Sequence, residues 1–337
     1  MNTRNKNLIV VTALLCLCTM FCSCYSNGQG NSNQESVRQR EILAKGTVSD
    51  LWIIVSTDVA DEAGTIACPT LLIEGREPLA IAPPPGQSFE GGKTIVAHFD
   101  NLEGFTPSDL VEAKLSVELS SDDAWLPRRI WVLARVKKRE SNSFDHILTH
   151  AGDWESSAWL GNKECPVPVG AGVQPVRPLN IAKTAAKCEQ KEFIKDLFVI
   201  ASTSRIDSGD GAGTSDDIEL SISKKIIKRL PTSERNNFLL STAYFDQTKF
   251  PDRSMPCAYL NRSVIFLEIT GEDMWVPSDV IVVSVSDKNA WRVVVNTQWN
   301  PKNVFSTDLG DKIQDGNVSK KYDVMGYPST YNPNNTR

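Results

Sequence analysis

The 337-residue sequence predicts an all-β protein, two tandem antiparallel β-sandwiches joined by a Pro/Gly-rich linker. Three observations predict it: an internal repeat, a period of two within each copy, and the lack of any amphipathic stretch of helical length inside either copy. The repeat opens with Asp50-Leu51-Trp52-Ile53-Ile54-Val55-Ser56-Thr57, echoed 146 positions later by Asp196-Leu197-Phe198-Val199-Ile200-Ala201-Ser202-Thr203. Ala63-Gly64-Thr65 returns as Ala212-Gly213-Thr214, and His98-Phe99-Asp100 as Tyr244-Phe245-Asp246. Asp123-Ala124-Trp125-Leu126-Pro127 returns as Asp273-Met274-Trp275-Val276-Pro277, and Trp154 as Trp299. Five blocks in one order, with offsets between 145 and 150, mark a duplication.

The elements follow in order. Leu115, Val117 and Leu119 alternate with Ser116, Glu118 and Ser120, as Ile218, Leu220 and Ile222 do with Glu219, Ser221 and Ser223. That pattern is a half-buried strand. Ile130–Val136, Val264–Ile269, Val280–Val285 and Trp291–Val295 are short, apolar and β-branched, and turn residues separate them. The copies are placed at 47–160 and 193–300, each a normal domain size. Residues 161–192, with Pro166, Pro168, Pro175 and Pro178, are expected as a linker ending in a short helical stretch near Ile181–Lys195. Residues 301–337, rich in Asn, Pro, Ser and Asp, are expected as a loose tail.

The N-terminus predicts export. Arg4 and Lys6 precede an apolar run, Leu8–Phe21, of fourteen residues. A spanning helix needs about 20 residues, so the run has the length of a signal-peptide core. Phe21-Cys22-Ser23-Cys24 resembles a bacterial lipobox, with Cys24 as the lipidated residue, and residues 25–46 would form a flexible tether. The expected location is the cell envelope, on either the periplasmic or the surface face, with the membrane engaged through the anchor. The whole chain has 36 basic and 41 acidic residues. Removing residues 1–24 leaves 34 against 41, a net charge of −7. Such a balance argues against nucleic acid, whose binding rests on Lys and Arg neutralising phosphates. Beyond the leader lie Cys68, Cys165, Cys188 and Cys257, which allow three pairings in an oxidising compartment. Cys165 and Cys188 flank the linker and could staple it.

The strand Leu197–Thr203, the loop Gly211-Ala212-Gly213-Thr214-Ser215-Asp216-Asp217 and the later Asp-x-Trp-hydrophobic-Pro segment together resemble the PLAT (LH2) family, over roughly two-thirds of the chain. The resemblance implies β-sandwiches that bind membranes or partner proteins, sometimes with calcium, without catalysis. Ile66-Ala67 departs from it, since the second copy has Ser215-Asp216 there.

Three sets of residues are candidates for chemistry. Asp207, Asp210, Asp216 and Asp217 lie on a Gly-rich loop, a composition that suits calcium, with Glu272 or Asp273 as further ligands; a solvated acidic turn is the alternative. Asp58, Asp61 and Glu62 are the weaker equivalent in the first copy. Trp125 and Trp275 could meet a membrane or partner at a loop tip, or could close the core; the Pro shared by both copies favours packing. His146 and His150 are four apart, a metal-pair spacing only on a helix, and a structural role is expected. No nucleophile elbow, P-loop or HExxH motif occurs, so the expectation is a binding protein rather than an enzyme. A structural envelope component, or less readily a carboxylate-dependent hydrolase, is the alternative.

Overall fold

The computed structural model describes residues 46–84, 86–100, 102–138, 144–150, 154–155, 157–162, 164–169, 171–179, 192–204, 213–222, 226–230, 240–246, 255–256, 265–288, 291–313 and 315–323. The chain is all-β. In the first copy β1 (Gly46–Thr57), β4 (Thr94–Phe99), β6 (Pro127–Lys138) and β7 (Phe144–His150) form one antiparallel sheet, in the order β4-β1-β6-β7. A second sheet has β2 (Thr70–Ile73), β3 (Leu79–Ala80), β5 (Leu115–Glu118) and β10 (Val176–Pro178), in the order β10-β5-β2-β3. The sheets share one core, in which Leu51, Ile53 and Val55 of β1 meet Leu71, Ile73, Leu115 and Val117 of the facing sheet. One helical turn, α1 (Ser108–Val111), adds buried Leu110 to it.

The second copy repeats this plan. Its sheets are β14 (Leu240–Asp246), β11 (Ile194–Thr203), β16 (Pro277–Ser286) and β17 (Trp291–Gln298), then β13 (Ile226–Leu230), β12 (Ile218–Ile222), β15 (Ile265–Ile269) and β20 (Lys321–Asp323). Even the irregularities recur. β1 and β6 shift register between Val48 and Asp50 and between Ser56 and Thr57. β11 and β16 shift between Ile194 and Asp196 and between Ser202 and Thr203.

Both copies run further than expected. Pairing of β10 with β5 puts 176–178 of the expected linker inside a sheet, and Leu179 inside the core. β20 pairs with β15, so 321–323 of the expected loose tail are a sheet strand and Tyr322 is fully buried. Between them, β8 (Ala158–Leu160) pairs in parallel with β9 (Gly172–Gln174), and β18 (Asn303–Phe305) with β19 (Asn317–Ser319), at one offset of 145. The physical reason is that an alternating strand such as Leu115–Glu118 or Ile265–Ile269 has two edges, and each needs a partner for its backbone groups. The expected helical stretch falls mostly outside the described residues, and its last members, Ile194 and Lys195, already belong to β11.

A third apolar cluster lies between the copies. Trp52, Ile54, Val96, Trp131 and Leu133 pack against Phe198, Ile200, Ile281, Val283 and Val285. Leu51-Trp52-Ile53-Ile54-Val55 is apolar at both parities because β1 is buried on both faces. Polar contacts fix the orientation. Arg129, near the start of β6, pairs with Asp196, near the start of β11. Arg135, late in β6, reaches Asp279, near the start of β16, at 2.9 Å. The copies therefore lie back to back and antiparallel, related by a pseudo-two-fold axis. The open end of each sandwich, where the first strand ends and the Trp segment begins, points to the opposite pole from the other.

Candidate functional site

The repeated blocks converge on these open ends, where the fold itself consumes most of their chemistry. In the first copy the Asp123 carboxylate accepts from Thr65 Oγ1 at 2.8 Å and from the Ile66 amide at 2.9 Å. In the second, Asp273 accepts from the Ser215 amide at 2.8 Å. Each Asp thus ties the Gly-Thr turn to the Trp segment. Trp125 is 0% exposed, packs edge-on against Phe89, and donates from Nε1 to Thr57 Oγ1 at 3.2 Å. Trp275 donates to Thr203 Oγ1 at 3.1 Å and packs on Phe305. Of the two alternatives for Trp125 and Trp275 the structure has the favoured one, packing, and corrects that of partner or membrane contact: each indole is inside the core and its polar edge is satisfied there.

The acidic loop reads similarly. Asp216 Oδ2 accepts from the Asp273 amide at 2.7 Å. The same amide in the first copy, that of Asp123, is met by Ser121 Oγ at 3.0 Å. Where the first copy has Ser121 and Ala67, the second has Gly271 and Asp216, and a Cβ at Gly271 would overlap the Asp216 carboxylate. The difference between the copies at Ala67 and Asp216 is thus one half of an exchange with that at Ser121 and Gly271. Gly271→Ser should push the Asp216 carboxylate off the Asp273 amide and cost about 0.5–1.5 kcal/mol, the worth of that hydrogen bond. Adding Asp216→Ala should recover most of it, because the pair rebuilds the first copy's arrangement. Urea melts of the three variants check this, and additive losses would show the two positions to be independent.

Among the described residues no three His, Cys, Asp or Glu side chains converge as a metal site. Asp207 and Asp210 lie outside the described residues, while Asp216 and Asp273 serve backbone amides. His146 and His150 lie on strand β7 and not on a helix, so four residues there span about 13 Å of backbone. Cys165 is buried in a small cluster with Ala63, Leu126 and Trp159, beneath Gly161, where a Cβ would meet its sulfur at 3.0 Å. Its expected partner Cys188, like Cys24, lies outside the described residues. No described helix is long and apolar enough to cross a membrane.

Sequence reasoning missed two features. One is the polar seam between the copies. Asp50 accepts from Ser49 at 2.9 Å and meets His98 Nε2 at 3.1 Å and Arg135 at 3.5 Å. Burial pushes the Asp50 carboxyl up, but the His98 hydrogen bond, the Arg135 charge and Ser49 together hold it below the ordinary 3.8. Trp52 is stacked between the His98 ring and the Arg135 guanidinium, each 5.0 Å from it. The other is a cavity of about 610 Å³ at the open end of the first copy, lined in part by Glu62, Ile66, Phe89, Glu90 and Asp122. Its residues come from four separate loops, which no sequence period links.

No protein-family model, curated protein or solved structure matches the chain.

Proposed function

We propose that this chain is an exported, non-catalytic binding protein, held to a membrane by a lipid on Cys24 and presenting two PLAT-like β-sandwiches. The back-to-back lock of the two copies is the observation that supports the reading. It turns the two open ends to opposite poles of a stiff body, the geometry of a display scaffold. Gly46 enters at the pole opposite the cavity, one full strand of twelve residues away, or about 40 Å. A membrane tether on residues 25–46 therefore attaches at the pole away from the cavity.

Expression in a bacterial host with a labelled fatty acid tests the anchor. The wild-type chain is expected to take up label and sediment with membranes, while Cys24→Ala remains unlabelled and soluble. An unlabelled wild-type chain that high salt releases would overturn it.

A further inference from the structure

At the pole away from Gly46, the loops after β1, before β4, before β6 and after β8 line the open cavity of about 610 Å³. That volume lies within the range of preformed ligand pockets, about 300–1,000 Å³. Its floor is apolar, with Phe89 only 2% exposed, and its rim carries Ile66 at 97% exposure, beside Pro166. Around this apolar surface stand Glu62, Glu90 and Asp122, and none of the lining residues is Lys, Arg or His. Asp123 is committed to the turn, through Thr65 and Ile66, and Asp122 accepts from Asn162 Nδ2 at 3.1 Å, which leaves its charge unpaired by any cation among the lining residues. Glu90 meets Lys93 at 3.5 Å, but both side chains are more than 60% exposed, so an incoming cation can replace Lys93 at little cost.

We propose that this cavity docks a peptide segment of a partner protein that carries Lys or Arg beside apolar residues. The inference rests on the binding-protein reading above and names the partner's chemistry. Charge complementarity carries it: three carboxylates ring an apolar floor in a concave site, so a cation with an apolar neighbour satisfies both parts at once. Anionic lipid headgroups would meet like charge there.

The test uses the full chain as its soluble Cys24→Ala variant. Fluorescent peptides alternating Lys-Leu, Gln-Leu and Glu-Leu are titrated in parallel with phosphatidylglycerol vesicles. The Lys-Leu peptide is expected to bind, weakening as salt rises. Glu62→Gln with Glu90→Gln is expected to lower its affinity about tenfold or more at an unchanged melting temperature. Glu77→Gln, an exposed carboxylate on the β2–β3 turn, should have no effect. Equal binding of the Gln-Leu and Lys-Leu peptides, indifferent to Glu62 and Glu90, would overturn the cationic partner while leaving a binding site. Vesicle binding without peptide binding would overturn it in favour of a lipid surface. If no probe binds, the cavity proposal fails, while the anchored-protein reading stands or falls by the fatty-acid labelling.

Discussion

A chain ended after Asn300 is expected to lose the fold of its second copy, although every obvious strand of that copy precedes the cut. Val304, Phe305 and Tyr322 are each fully buried in the second core. Losing a buried residue of this size costs about 2–5 kcal/mol, so three approach or exceed the whole stability of an ordinary domain, about 5–15 kcal/mol. The cut also removes the carbonyl of Asn303 that Trp299 Nε1 donates to at 2.8 Å, and the backbone bridge from Phe305 to Trp275. β15 would become an edge without β20. Tyr322 ties the end shut, its hydroxyl lying 3.0 Å from the Val304 carbonyl and 2.6 Å from that of Asn317; burial raises its phenol far above the ordinary 10.0, so it stays neutral. Limited proteolysis and thermal melts should show only the first copy protected in the shortened chain, and both copies protected in a chain ended after Asp323. Two protected copies in a chain ended at Asn300 would contradict the assignment.

The second large effect is expected at Arg135. The pseudo-two-fold axis maps the pair of Arg129 with Asp196 onto Asp279 with Asp50, two acids. Arg135 resolves that conflict by contacting both, Asp279 at 2.9 Å and Asp50 at 3.5 Å, and its counterpart in the second copy is the apolar Val285. Removing a buried cation from its partners costs about 3–5 kcal/mol. Asp50 and Asp279 are 19% and 25% exposed, which lowers the expectation for Arg135→Leu to about 2–4 kcal/mol. Adding Asp279→Arg, which copies Arg129, should restore most of the loss. Chemical denaturation of the single and double variants measures both, and a loss under about 0.5 kcal/mol for Arg135→Leu would place the seam in solvent.

Much of this architecture is legible in the residues. Alternation at Leu115–Glu118 and Ile218–Ile222 marks strands with one wet face, and the structure has them on the outer sheets. Continuous apolar runs at Leu51–Val55 and Leu197–Ala201 mark strands dry on both faces, which is the trace of the buried seam. β8–β10 and β18–β20 were hidden because three-residue strands carry no measurable period, and Pro, Gly and Asn within them read as loop. The signal that could have found them is the repeat itself: Trp154 donates to Ala158 at 2.7 Å as Trp299 does to Asn303 at 2.8 Å, both four residues on. Of the candidate site residues, Asp273, Trp125 and Trp275 stand in a pattern that both copies retain, whereas Asp216 stands on the acidic Gly-rich loop of the second copy alone. That pattern serves hydrogen bonds inside the fold. The cavity was invisible to such reasoning because its walls meet only after folding, and its exposed Ile66 lies where the copies differ.

The lock between the copies is the central claim, and a charge-swap cycle on Arg129 and Asp196 tests it most directly. Each residue belongs to a different copy, and they meet only if the sandwiches lie back to back and antiparallel. Arg129→Asp and Asp196→Arg should each destabilise the full chain, and the double variant should recover, with a coupling energy of about 1–3 kcal/mol. Losses that add to within about 0.5 kcal/mol would show that the two residues do not touch, and would contradict the arrangement.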